Sequence, residues 1–178
     1  MHSIACVLLA ERGQMAPALN SIRDRWGDML DKGATTAWET FSGHEVGRWT
    51  RSWCHAWSAL PAYLLSAFVL GVRPLEPGFK RALIAPQLSD LTWAEGRVPT
   101  PHGPVAVRVE RAGPGLLVQV TLPDGVAAEV RVAADEVEAP DVTGTNAEIR
   151  REAAEFVIVL PSGAIATIAC PINRSRFC

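Results

Sequence analysis

Cysteine is scarce in this chain and is spaced for neither metal nor disulfide work. Cys6, Cys54, Cys170 and Cys178 are the four cysteines among 178 residues. None forms the C-x-x-C pair that zinc sites use. Disulfide frameworks hold together small secreted domains that lack a core, whereas this chain is long and apolar enough to bury one. Free thiols, a cytoplasmic setting, no metal and no cofactor are the expectation. Excess charge is also missing: the formal net charge is −2 and no lysine-arginine cluster occurs, so nucleic acid is not an expected partner. No apolar run is long enough to span a bilayer, so neither is a membrane. The run Ile4 to Ala10 has no basic region before it. Glu11-Arg12 follow where a signal peptidase needs small residues, so the run reads as a buried helix.

What is present changes character along the chain. Ile4, Val7, Leu8 and Leu9 form one apolar stripe of a helix that Gly13 ends. Leu19, Ile22, Trp26 and Leu30 form another over 16–31, with Gly33 placed for a left-handed cap. Two such helices make an αα-hairpin. A loop over 33–51 leads to a third helix expected over 52–70. That helix is apolar nearly all round, through Trp53, Trp57, Leu60, Leu64 and Phe68, and is expected to be buried. Pro61 predicts a kink in it or a late start. From Gly71 the period changes to two. Val105, Val107 and Val109 alternate with Ala106, Arg108 and Glu110. Pro123-Asp124-Gly125 and Pro161-Ser162-Gly163 each sit between two strand-like runs and predict hairpins. A short helix is expected over 147–154. The expectation is an α+β chain in two parts: helices over 1–75 and an antiparallel β-sandwich over 76–178.

The segment 33–79 carries the candidate chemistry. It holds Thr35-Thr36-Ala37-Trp38-Glu39-Thr40-Phe41 and Trp53-Cys54-His55-Ala56-Trp57. A carboxylate, a histidine and several indoles together suggest a sugar site. Apolar sugar faces stack on aromatic rings, and carboxylates handle hydroxyls and the glycosidic oxygen. Residue chemistry alone leaves each candidate open. Glu39 is a catalytic carboxylate or a loop residue bridging to the next element. His55 is a substrate contact or a core histidine bonded to a carbonyl. Trp38 borders Glu39 and is the best sugar contact among the indoles, while Trp26, Trp53 and Trp57 lie at helical spacing and read as core. Glu95, beside Trp93, reads as a surface residue of a hairpin.

Several of these words resemble one family. Trp26-Gly27-Asp28-Met29-Leu30-Asp31-Lys32-Gly33, the Thr-Thr-x-Trp-Glu word at Glu39, Ile84-Ala85-Pro86-Gln87, Leu91-Thr92-Trp93-Ala94-Glu95-Gly96 and Thr100-Pro101-His102-Gly103-Pro104 are similar, in this order, to bacterial α-L-rhamnosidases. The resemblance fades after about Ala134. It implies the last helices of a six-hairpin (α/α)6 toroid followed by a C-terminal β-sandwich, and an inverting glycoside hydrolase that releases terminal L-rhamnose. It also implies that Glu39 is the general base activating water and that His55 binds sugar hydroxyls. An inverting enzyme needs a general acid as well. The resembled family keeps that acid in helix-connecting loops upstream, and nothing over 1–25 matches it, since Glu11 and Asp24 sit on expected helices. The chain is therefore expected to be a C-terminal fragment, inactive alone, with a rhamnose-containing glycoside as ligand and self-association through its incomplete toroid. The alternative is a non-catalytic carbohydrate-binding or interaction module built on the sandwich.

Overall fold

The computed structural model describes residues 2–41, 44–45, 48–49, 52–113, 115–134 and 137–171. The chain forms two compact units, 1–65 and 66–178.

The first unit begins with α1 (His2–Glu11) and α2 (Met15–Asp31). Both helices end as the glycines predict. Gly13 and Gly33 have φ of 73° and 84°. Behind each, two backbone N–H groups fold back onto the last turn: Gly13 to Ala10 and Gln14 to Leu9, then Gly33 to Leu30 and Ala34 to Met29. These are Schellman caps, and they satisfy carbonyls that a helix end otherwise leaves orphaned. The buried faces differ from the expected stripes. On α1 the small residues Cys6 and Ala10 are buried while Ile4 and Leu8 are exposed. On α2 the core position belongs to Met29, and Leu30 is 68% exposed. Trp26, Met29 and Trp38 form the unit's aromatic core, with Phe41 edge-on to Trp26 at 4.9 Å. Two short strands, β1 (His44–Glu45) and β2 (Arg48–Trp49), pair antiparallel inside the expected polar loop.

The expected third helix requires correction. Residues 52–55 are not helical, and Ala56–Ser58 is a single 3-10 turn. Helix α3 spans only Leu60–Leu64, with Pro61 in its first turn, where the missing N–H costs nothing. A π-helical turn over Leu65–Val69 follows. The expected burial fails for the early part. Trp53 is 45% exposed and Trp57 78%, whereas Leu64, Ala67 and Phe68 are buried.

The second unit is a sandwich of two five-stranded sheets. One has the order β10 (Glu148–Glu152), β11 (Glu155–Leu160), β8 (Ala127–Ala133), β4 (Arg81–Ile84), β3 (Val72–Pro74). The other has the order β5 (Trp93–Val98), β6 (Val105–Ala112), β7 (Gly115–Thr121), β12 (Ile165–Cys170), β9 (Asp141–Thr143). All pairs are antiparallel except β4 with β8. Alternate residues of both sheets, among them Val107, Val118, Val130, Ile158 and Ile168, meet in one core. Each buried aliphatic contributes about 1.5–3 kcal/mol by leaving water.

Both predicted hairpin turns are corners instead. The turn 123–125 carries the chain from β7 in one sheet to β8 in the other, and 161–163 carries it from β11 to β12. The two corners lie side by side: Gly125 N–H donates to Ser162 Oγ at 2.7 Å and Leu122 N–H to the Ala164 carbonyl at 2.8 Å. The helix expected over 147–154 is strand β10 and its turn into β11, which closes at Ala153 with φ 49°. On the outer face of the first sheet, Glu129 bonds Arg81 at 3.2 Å and Arg131 at 3.1 Å. Burial pushes its carboxyl up, but the two guanidiniums outweigh burial and hold it below the usual range. The stability it contributes is present above the ordinary carboxylate range and is lost as pH falls through that lowered value.

Candidate functional site

The candidate residues lie on two neighbouring stretches of the first unit. After the cap at Gly33 the chain extends through Trp38 to Glu39, and residues 52–55 run back beside it. Glu39 N–H donates to the Ser52 carbonyl at 2.9 Å, and His55 N–H donates to the Ala37 carbonyl at 2.7 Å. Thr36 Oγ1 adds a bond to the Trp53 carbonyl. Trp38 and Trp53 meet edge to face, with ring centroids 4.8 Å apart at 85°. This clamp brings Glu39 and His55, sixteen positions apart, onto adjacent backbone.

The side chains differ in access. Glu39 is exposed and His55 is half-buried. Trp38 is only 8% exposed, packed with Trp26 and Met29, so it offers a ligand no more than an edge. The open indole beside it is Trp53. Helical spacing assigned Trp53 to the core, and no sequence signal corrects this, because 52–55 is not helical. His55, inside the helix expected over 52–70, is not helical: it sits in extended conformation before the 3-10 turn, and its carbonyl accepts the Ser58 N–H at 3.0 Å. Trp26 Nε1 donates to the Ser58 carbonyl at 2.6 Å, which anchors that turn on α2.

Glu11 and Asp24 are exposed on α1 and α2, as the sequence suggests, and Glu95 is an exposed strand residue. Among the described residues no group of three His, Cys, Asp or Glu side chains could hold a metal ion. The described cysteines, Cys6, Cys54 and Cys170, are free thiols, and burial pushes Cys170 up to about 11, so it stays protonated. No helix among the described residues is long and apolar enough to cross a membrane.

Comparison with known proteins covers both units. Residues 6–69 match the bacterial alpha-L-rhamnosidase six-hairpin glycosidase domain, and residues 71–146 match the bacterial alpha-L-rhamnosidase C-terminal domain. An alpha-L-rhamnosidase of Alteromonas sp. (strain LOR) is 36% identical over 111 residues, which is 58% of this chain and 12% of that protein. The crystal structure of the Streptomyces avermitilis alpha-L-rhamnosidase complexed with L-rhamnose superposes with a TM-score of 0.74 at 25% identity, covering 90% of this chain and 16% of that one. A rhamnosidase of Bacillus sp. GL1 is 40% identical, with a TM-score of 0.57 over 68% of this chain and 15% of that one. The chain thus spans less than a fifth of the length of these relatives.

Proposed function

The chain belongs to the bacterial α-L-rhamnosidase family, and from that premise we propose that it supplies the end of a catalytic toroid, with the general base, and the sandwich that follows. In this reading Glu39 takes a proton from the water that attacks the anomeric carbon of a terminal L-rhamnoside, with inversion. His55 hydrogen-bonds sugar hydroxyls. Trp38 gives the sugar an edge and holds Trp53 in place beside it. The observation that carries the proposal is the pair of backbone bonds between 37–39 and 52–55, which runs the backbone of Glu39 and His55 on adjacent stretches, with Trp38 edge to face against Trp53.

The reading has a direct test. An inverting glycosidase needs an acid opposite its base, and the candidate cluster contains one carboxylate. Losing an acid costs about 10²–10⁴-fold in rate. The chain by itself is therefore expected to show no turnover of an aryl α-L-rhamnoside, although this leaving group needs the acid least. Turnover by the purified chain, abolished by Glu39→Gln, would place both catalytic groups in this sequence and sink the division of labour.

A second expectation concerns association. An apolar groove of about 310 Å³ lies open on the first unit, lined by Ile4, Val7, Trp57, Leu60 and Tyr63 among others. Trp57 on its rim is 78% exposed and Tyr63 53%, and large exposed apolar side chains grouped together mark surfaces that associate. The isolated chain should self-associate and bind a hydrophobic dye. A monomeric sedimentation profile at high concentration without dye binding contradicts this.

A further inference from the structure

The two stretches of the clamp do not match residue for residue. Glu39 N–H donates to the Ser52 carbonyl, and the Ala37 carbonyl accepts from His55 N–H. A regular antiparallel pair that sets Glu39 on Ser52 brings the Cys54 N–H, not that of His55, to the Ala37 carbonyl. A step of three residues, 52 to 55, therefore faces a step of two, 37 to 39, which is the count of a β-bulge. The Trp53 and Cys54 carbonyls fall inside the wider step, and a side-chain hydroxyl reaches each of them. Thr36 Oγ1 donates to Trp53, and Ser52 Oγ donates to Cys54 at 2.9 Å. The Ser52 bond stays within its own stretch. The Thr36 bond crosses from the facing one.

Register matters here because alternate residues of an extended stretch point to opposite faces. A slip of one residue exchanges the places of Cys54 and His55. Such a slip loses no backbone bond of the clamp, since the Cys54 N–H replaces the His55 N–H at the Ala37 carbonyl. It gives up the Thr36 bond, whose acceptor moves with the stretch. One intramolecular hydrogen bond shifts an equilibrium by about two- to tenfold, which is enough to choose between registers otherwise equal in backbone bonds. We propose that Thr36 is a positioning residue, an inference that rests on the reading of His55 as a sugar contact. Its hydroxyl holds the three-against-two register and, through the Trp53 carbonyl, keeps His55 rather than Cys54 on the Ala37 carbonyl. Thr36 takes no part in the proton transfer assigned to Glu39.

Amide hydrogen exchange, followed by NMR on the ¹⁵N-labelled chain as it stands, tests the register without any sugar. In the parent chain the His55 amide should be protected and the Cys54 amide should exchange faster. Thr36→Val removes the hydroxyl and keeps the branched shape. Thr36 is exposed, so the change opens no cavity. It should lower protection at His55 by about two- to tenfold and raise it at Cys54. Protection at Glu39 and at Met29 on α2 should not change, and Thr36→Ser, which retains the hydroxyl, should exchange as the parent does. Where the rest of the toroid is present, Thr36→Val should raise the rhamnoside KM more than it lowers kcat, and Thr36→Ser should not. Unchanged protection at His55 in Thr36→Val, or equal losses in the two variants, overturns the proposal and leaves the reading of Glu39 and His55 standing. Losses that extend to Glu39 and Met29 make Thr36 a residue of the fold and overturn it as well. A slip to Cys54 with KM unchanged overturns the reading of His55 instead, and the positioning role falls with it.

Discussion

Glu39→Gln, introduced where the rest of the toroid is present, is expected to lower kcat by about 10²–10⁴-fold while leaving rhamnoside binding nearly unchanged. The amide preserves the size of the side chain and its backbone position between Ala37 and Ser52, so the clamp is undisturbed. It removes only the ability to take a proton from the attacking water. Azide is a nucleophile that needs no deprotonation. In an inverting geometry it enters from the water's side, and it should partly restore turnover and yield the azido sugar of inverted configuration. His55→Ala should behave differently. If His55 binds sugar hydroxyls as proposed, the change removes a contact made in ground state and transition state alike, so KM should rise more than kcat falls and azide should do nothing. Retention of near-normal kcat in Glu39→Gln would reduce Glu39 to a loop contact and remove the base from the proposal.

The second large effect lies at Gly71, where the π-helical turn gives way to β3. Its φ is 77°, and a Cβ there would lie 2.2 Å from the Ala85 carbonyl carbon and 2.3 Å from its oxygen. Those atoms are backbone of the β4 exit, which also pairs with Gly71 through the Ala85 N–H at 3.1 Å. Neither side can yield without breaking the β3–β4 pairing. Gly71→Ala is expected to cost at least about 3 kcal/mol, and Gly33→Ala, also at positive φ but with nothing within 4 Å, about 1–2 kcal/mol. Urea midpoints against the parent chain, read from sheet signal for Gly71→Ala and from helix signal for Gly33→Ala, measure the two costs. Equal losses for the two variants would mean that the approach to Ala85 is not a constraint.

Local chemistry was legible without coordinates where it depends on a few neighbouring residues. Gly13 and Gly33 end their helices because only a residue without Cβ enters the left-handed region cheaply, and both do so in the structure. The alternation Val105, Val107, Val109 makes β6 half-buried as read. Pro61 lies in the first turn of α3, where its missing N–H leaves no helical bond unmade. The ordered words from Trp26 to Pro104 identified the family on both units.

Tertiary structure decided what depends on distant partners. Pro123-Asp124-Gly125 suits a hairpin and a sandwich corner equally, and β7 became a neighbour of β12 because their inward residues Val118 and Ile168 share one core. Residues 148–152 have the composition of a helix, yet they pair with β11, whose edge would otherwise have unpaired donors and acceptors. The same holds at the candidate site. Trp53 and Trp57 show helical spacing, but over 52–55 the backbone bonds with 37–39 take the place of those a helix would make. Sequence alone therefore named the candidate residues and the family to which the chain belongs. Which indole stays open, which strand crosses to the other sheet and which stretch runs beside His55 were decided by hydrogen bonds and packing between segments far apart in the chain, because a short stretch of sequence encodes its own preferences and not its partner.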